Sequence, residues 1–349
     1  MPLHPQAAAA LAKLPSVWRD VEAIDTMTAA KARAILANAA TRSVAVPGVA
    51  IEDIDVPGPA GPLRARVYRP VDAAPVGTVL WIRGGGFVLG SLDVDRVSAP
   101  LARASGCAVV SIEYRLAPEH PFPAPLEDCY AALGWVAEHA PALGGAAAIA
   151  IGGESAGGNL AAAAALMARD RNGPEPALQV LLYPMTARAF DGPSRRDPEV
   201  AALARTEAID WFWRQYLGER EGTDPLACPL CAETLAGLPP ALVITAEYDV
   251  LRDEGEAYAR RLEQEGIAVE LRRYDGMHHA FVDAHGAIDA ADECIAHVGA
   301  AVRRAVSPAR AVTGQKSRTG CTPTIDDILS TNDTRPARRG GPASTEERS

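Results

Sequence analysis

No apolar run in these 349 residues approaches the ~20 residues that span a bilayer, so no membrane helix is expected. There is no basic surplus either. Lys and Arg number 34 against 44 Asp and Glu, a formal net charge of −10. Nucleic-acid binding draws on a basic face, so no nucleic-acid partner is expected. Cysteine is sparse, at six in the whole chain, which excludes a disulfide framework. The one tight pair, Cys228-Pro-Leu-Cys231, is followed by no second close pair and no His pair that would complete a zinc site. Neither a metal nor a redox pair is expected. The stretch MPLHPQAAAALAKLP has no basic region ahead of its apolar residues, so a secretory signal is not expected and the cytoplasm is the default compartment. No internal repeat occurs. What remains is ordinary for a globular protein: 48% apolar and 22% charged residues, enough for one large domain or two small ones.

The chain opens with helical stretches, one over 5–20 and one from Thr28 through AKARAILANAA, with Thr26 or Thr28 as its cap. Ile51–Val56 and Leu63–Tyr68 alternate apolar with charged residues around the turn PGPAGP, as half-buried strands do. Short apolar runs then recur at 78–82, 107–112, 147–151, 178–183, 241–245 and 268–274. Helical segments separate them near 125–139, 155–170, 253–265 and 289–304. Fully apolar strands alternating with helices predict an α/β fold: a mainly parallel eight-stranded sheet with helices on both faces. Residues 185–224 interrupt the alternation with the aromatic helix TEAIDWFWRQYLG. An insertion there sits over the strand ends, where ligands bind. Its rings equally suit a helix that simply docks on the sheet. The tail, 307–349, is rich in Ser, Thr, Pro, Gly and Arg and lacks an apolar period, which predicts disorder.

The strongest chemical signal is Gly152-Gly153-Glu154-Ser155-Ala156-Gly157-Gly158, between the run AIAI and the segment NLAAAAALMARD. A Gly-x-Ser-x-Gly turn between strand and helix is a nucleophile elbow, which strains the serine and exposes its hydroxyl. A plain Gly-rich turn is the bland alternative. Arg83-Gly84-Gly85-Gly86-Phe87 follows an earlier strand. Its glycines let backbone N–H groups approach a ligand and, with the N–H of Ala156, form an oxyanion hole. A phosphate loop is the rival reading, but the Lys-Ser/Thr of a P-loop and the GxGxxG spacing are both missing. A serine nucleophile needs a base and an orienting acid. Thr245-Ala-Glu-Tyr-Asp249 and Tyr274-Asp-Gly-Met-His278-His279 follow two later strands, in the order Ser, Asp, His.

These segments resemble the hormone-sensitive-lipase-like carboxylesterases of the α/β-hydrolase superfamily. The match runs from about residue 5 to 305. It rests on WIRGGGFVLGSLD, SIEYRLAPEHPFPAPLEDCYAAL, GGESAGGNLAA, LPPALVITAEYDVLRDEGEAYA and YDGMHHAFV. The resemblance implies Ser155 as nucleophile, Asp249 as acid, His279 as base, and the amides of Gly85, Gly86 and Ala156 as the oxyanion hole. It implies a structural role for Asp253 and a loop-bracing role for Glu119. Phe87, Phe212, Val250 and Phe281 are the expected substrate contacts. The family's HGGG motif reads Arg83-Gly-Gly-Gly here, and Arg83 is expected to brace the loop differently from the family's His, pairing with a nearby carboxylate being one way. The implied organisation is cap helices in 1–45, core in 46–184, a cap insertion in 185–224, and core again in 225–306. The implied activity is hydrolysis of short- to medium-chain acyl esters of a small-molecule substrate, with no cofactor. An amidase or deacetylase, or a receptor that binds without turnover, are the alternatives. The resemblance also implies a homodimer through the last strand and helix.

Overall fold

A computed structural model describes residues 2–13, 20–39 and 46–307. The expected tail therefore lies, beyond Ser307, outside the described residues. The eight strands are β1 (Val49–Val56), β2 (Leu63–Pro70), β3 (Thr78–Ile82), β4 (Ala108–Ile112), β5 (Ile149–Glu154), β6 (Leu178–Leu182), β7 (Ala241–Tyr248) and β8 (Val269–His278). They form one sheet in the order β1-β2-β4-β3-β5-β6-β7-β8. β2 runs antiparallel to both β1 and β4, and the pairs from β4 through β8 are parallel. The central strands β3, β4, β5 and β6 are buried throughout, which is why they read as continuous apolar runs. β1 at the edge keeps only Ile54 and Val56 buried, and so it alternates.

The helices are α1 (Pro5–Leu11), α2 (Val21–Asp25), α3 (Ala29–Ala39), α4 (Ser98–Ser105), α5 (Ala124–Gly144) and α6 (Ala156–Asp170), followed by α7 (Pro193–Arg196), α8 (Pro198–Ala201), α9 (Thr206–Leu217), α10 (Arg252–Gln264) and α11 (Asp289–Val306). α4 and α11 pack on one sheet face over Val79, Trp81, Val180, Leu182 and Ile244. The pleat turns Leu80 and Ile82 to the other face, where α5 and α6 lie against β3. α6 is buried from Ala156 through Ala168. Its run of five alanines favours helix and lets neighbours close in on every side.

The first expected helix is shorter than its composition suggests. Pro5 supplies N1, His4 caps Gln6 through Nδ1 at 3.3 Å, and α1 ends at Leu11. α1 also departs from the expected cap. The His4 N–H donates to the Gly276 carbonyl at 2.9 Å, and Ala7 is buried in the α11 cluster. It therefore braces the sheet edge at β8. α2, α7 and α8 were not expected, because each is only four or five residues long and shows no apolar period. Thr28 caps α3, its hydroxyl accepting the Lys31 N–H at 3.2 Å.

The aromatic helix α9 docks by its rings. Trp213 and Tyr216 are fully buried, and Tyr216 stacks on Phe87 with centroids 3.8 Å apart. Trp211 donates its indole N–H to the Met27 carbonyl at 3.1 Å, which joins α9 to the segment after α2. The docking reading of these rings therefore holds for Trp211, Trp213 and Tyr216. Trp213→Ala is expected to destabilise the protein by about 3–5 kcal/mol in urea unfolding. A loss under about 1 kcal/mol would show that α9 is not anchored this way.

Candidate active site

Three strands end where the three candidate residues begin. β5 stops at Glu154, and Ser155 follows with φ 56° and ψ −118°, a costly conformation for a residue with a side chain. Backbone bonds fix it there. The Ser155 N–H donates to the Leu182 carbonyl at 2.9 Å, and its own carbonyl accepts the N–H groups of Asn159 and Met185 at 3.1 and 3.2 Å. The flanking glycines follow from the same crowding. A Cβ on Gly153 would sit 2.3 Å from the Ile82 carbonyl oxygen, and one on Gly157 only 1.9 Å from it. The elbow folds against the end of β3 because neither residue has a side chain there.

β7 and β8 deliver the other two. Their register pairs Tyr248 with His278 beyond an irregularity after Ala246, so the next residue of each strand is Asp249 and His279. His279 Nδ1–H donates to Asp249 Oδ2 at 2.7 Å, and Nε2 accepts from Ser155 Oγ at 3.0 Å. Asp249 is wholly buried, and its other oxygen accepts the Leu251 N–H at 2.9 Å. Burial works to lower the His279 pKa, but the charge of Asp249 and its hydrogen bond outweigh that and raise it above the usual 6.5. Tyr183 meets the imidazole edge to face, with centroids 4.9 Å apart, and holds it from the side of β6. Tyr183 gave no sequence signal beyond closing an apolar strand.

The glycine loop after β3 lies beside the serine. A Cβ on Gly84 would come within 3.4 Å of Ser155 Cβ. Gly85 and Gly86 have φ of 117° and 59°, the region that favours glycine. Among the described residues, no hydrogen bond occupies the N–H groups of Gly85, Gly86 or Ala156. They are the donors expected to form an oxyanion hole. Glu154, the unassigned middle residue of the elbow motif, accepts the Gly84 N–H at 2.7 Å and the Trp81 indole N–H at 2.7 Å. It ties the loop to the elbow. Burial, aided by the charges of Asp283 and Asp95, raises its carboxyl well above the ordinary range.

Two expectations are modified by this geometry. Arg83 pairs with no carboxylate among the described residues; its guanidinium reaches the Leu89 and Gly84 carbonyls and lies over the Tyr114 ring. Of the expected substrate contacts, Phe87, Phe281 and Val250 are packed away. Phe87 sits between Trp213 and Tyr216, and Phe281 between Tyr183 and Tyr274, both without accessible surface. Val250 is buried, its carbonyl accepting the Ser194 hydroxyl at 3.1 Å. Proximity to a motif in sequence does not turn a ring toward the cleft. Phe212 alone is partly accessible, and its ring lies against Gly86, where a Cβ would meet it at 2.1 Å.

The bracing residues act across long sequence separations. Arg33 of α3 binds both carboxylate oxygens of Glu119, at 2.8 and 2.7 Å, and donates to the Val88 and Ala117 carbonyls at 2.9 Å each. This places Glu119 behind the glycine loop. Its pKa falls to about 2, mainly through the Arg33 hydrogen bond. Asp253 accepts the Ser194 N–H at 2.6 Å. Neighbouring Glu254 takes the Thr186 N–H and Arg195, both at 2.8 Å, and so fastens the segment between β6 and α9 to α10. Burial pushes the Glu254 carboxyl up to about 7. Cys228 is buried and Cys231 exposed, both as free thiols.

Residues 79–283 match the alpha/beta hydrolase fold family. The carboxylic ester hydrolase LipN of Mycobacterium tuberculosis is 44% identical over 252 residues, covering 68% of this chain and 67% of that protein. An ethyl acetate hydrolase of Pseudomonas putida is 37% identical over 249 residues, covering 69% of this chain and 78% of that one. The solved esterase of Pyrobaculum calidifontis superposes with a TM-score of 0.74 at 40% identity, covering 87% of this chain and 99% of its own.

The His279 titration separates its two opposing influences. An NMR titration is expected to place the His279 pKa above 6.5 in the wild type. In Asp249→Asn the largest raising influence is gone, and the value is expected to fall below that of the wild type. A pKa that stays put in Asp249→Asn would show that the carboxylate does not govern the imidazole.

Proposed function

This chain belongs to the alpha/beta hydrolase fold family, in its hormone-sensitive-lipase-like branch, and is a carboxylic ester hydrolase; from that premise we propose that it works through Ser155, His279 and Asp249 by way of an acyl-enzyme. The observation that carries the reading is the continuous hydrogen-bonded line from Asp249 through His279 to Ser155, at 2.7 and 3.0 Å, ending beside backbone amides that have no other partner among the described residues.

The neutral imidazole takes the Ser155 proton as Oγ attacks the ester carbonyl carbon. Asp249 holds the ring in the tautomer that leaves Nε2 free to accept, and it stabilises the imidazolium that results. The carbonyl oxygen becomes an oxyanion facing the Gly85, Gly86 and Ala156 amides. Donors already aimed at that position lower the barrier without reorganising. As the tetrahedral intermediate collapses, His279 returns the proton to the departing alcohol and the acyl group stays on Ser155. Water then repeats the sequence, giving its proton to His279, and the acid leaves as Ser155 recovers its own. Both attacks, by Ser155 and by water, need His279 neutral, so activity falls as the pH drops through its raised pKa.

The substrate is an ester of a short to medium acyl chain. Phe212 narrows the space over Gly86, and the rings behind it are locked in the cap. The similarity to an ethyl acetate hydrolase points the same way. Hydrolysis of p-nitrophenyl esters from acetate to palmitate is expected to peak at short or medium chains. Ser155→Ala is expected to lower kcat by at least about 10⁴-fold with its circular dichroism unchanged. Turnover that survives in the folded variant would end the assignment of Ser155. A rate that peaks at palmitate would end the assignment of chain length.

A further inference from the structure

We propose that Arg83 is a positioning residue that aims the oxyanion-hole amide of Gly85; the inference rests on the catalytic reading above. Arg83 follows β3 directly and is 2% exposed. Among the described residues no ion pair balances its charge. Its Nη1 donates instead to two carbonyls of one loop, Leu89 at 2.6 Å and Gly84 at 3.2 Å. The guanidinium carbon lies 4.6 Å from the Tyr114 ring centroid, and the Tyr114 hydroxyl closes the arrangement by donating to the Arg83 carbonyl at 3.1 Å. A buried cation is costly to keep on such partners alone, so the loop geometry it enforces is the gain to look for.

That geometry follows from the planarity of the peptide. The Gly84 carbonyl and the Gly85 N–H belong to one trans peptide unit, so they point in opposite directions from one plane. A donor that grips the carbonyl therefore sets where the N–H points. Glu154 fixes the preceding peptide through the Gly84 N–H at 2.7 Å. Gly84 is thus held from the elbow on one side and by Arg83 on the other. The far end of the loop is fixed by the same cation. The Gly85 carbonyl accepts the Val88 and Leu89 N–H groups at 3.1 and 2.8 Å, and the Leu89 carbonyl that bonds Arg83 lies where a Cβ on Gly85 would meet it at 2.3 Å.

The chain makes room for this arginine. Gly90 has φ of 92°, and a Cβ there would lie 2.5 Å from Arg83 Nη1. A side chain at position 90 would push the guanidinium off the carbonyls it grips. The family's loop has a histidine where Arg83 stands. Here a cation with a fixed fork of donors spans two carbonyls at once.

The test compares wild type, Arg83→Met and Gly90→Ala on p-nitrophenyl butyrate. Rates are normalised to active sites titrated with a p-nitrophenyl phosphonate. Arg83→Met keeps a linear apolar stem and loses every donor. It is expected to lower kcat by on the order of 10- to 100-fold with KM changed less than about twofold, less than the roughly 10²–10³-fold of a donor removed outright, because the Gly85 N–H is misaimed and not lost. The second-order rate of phosphonylation, which builds negative charge on the same oxygen, is expected to fall in proportion. A folded Arg83→Met with wild-type kcat, or with its loss confined to KM, overturns the proposal. If Arg83→Met does not fold, Gly90→Ala decides by the same criteria, since it displaces Nη1 without removing the charge. Absence of Ser155-dependent ester turnover in the wild type would instead overturn the catalytic reading itself, and the positioning role with it.

Discussion

A serine held at positive φ between a strand and a helix is the constraint from which the rest of this site follows. Ser155 occupies that conformation because its N–H is bonded to Leu182 at the end of β6 and its carbonyl to Met185 just beyond it. The conformation brings Gly153 and Gly157 against the end of β3 with no space for a Cβ. Once that junction closes, the residues that follow β3 lie beside the serine. The glycine loop of 84–86 is therefore a neighbour of Ser155 through packing, although about seventy residues separate them in sequence. The Ala-rich α6 serves the same end. Its small residues let the helix sit deep enough for its N-terminal amide to face the cleft.

Electrostatics at the site work by opposition. Burial disfavours charge on Asp283, Glu154 and His279 alike, and each is held by a different counterweight. For His279 it is Asp249, whose effect exceeds the cost of burial. For Glu154 it is the two N–H donors of Gly84 and Trp81, which only partly offset that cost. Asp283 is pushed up to about 6, with Arg96 and His279 opposing. Support from outside is mechanical. Arg33 and Glu119 hold the outer side of the glycine loop, and Glu254 with Arg195 secures the segment between β6 and α9 to α10.

The sheet and the order of the candidate residues could be read from the sequence because both are local. The central strands are short apolar runs and the edge strands alternate apolar with charged residues, and Ser155, Asp249 and His279 each follow a strand. The limits were equally physical. Strands β7 and β8 run several residues past their apolar runs, and it is this extension, with its irregular register, that sets Asp249 beside His279. The short helices α2, α7 and α8 have no room for a period. Phe87 and Phe281 stand beside motif residues yet turn into the core, because a large ring gains more from stacking on Tyr216, or from an edge contact with Tyr183, than from an open cleft. Arg83 found carbonyls and a ring where a carboxylate partner was expected. The pairing of Arg33 with Glu119 spans 86 residues and leaves no local mark.

The central claim is that an acyl group passes through Ser155, and trapping that intermediate tests it most directly. Rapid mixing with p-nitrophenyl acetate, followed by acid quench and peptide mass spectrometry, reads the intermediate without relying on a variant. The account predicts a mass gain of one acetyl group on the peptide that carries Ser155, formed within one turnover and lost as hydrolysis proceeds. Acetylation of another residue at the turnover rate, or release of product with Ser155 never modified, would contradict it.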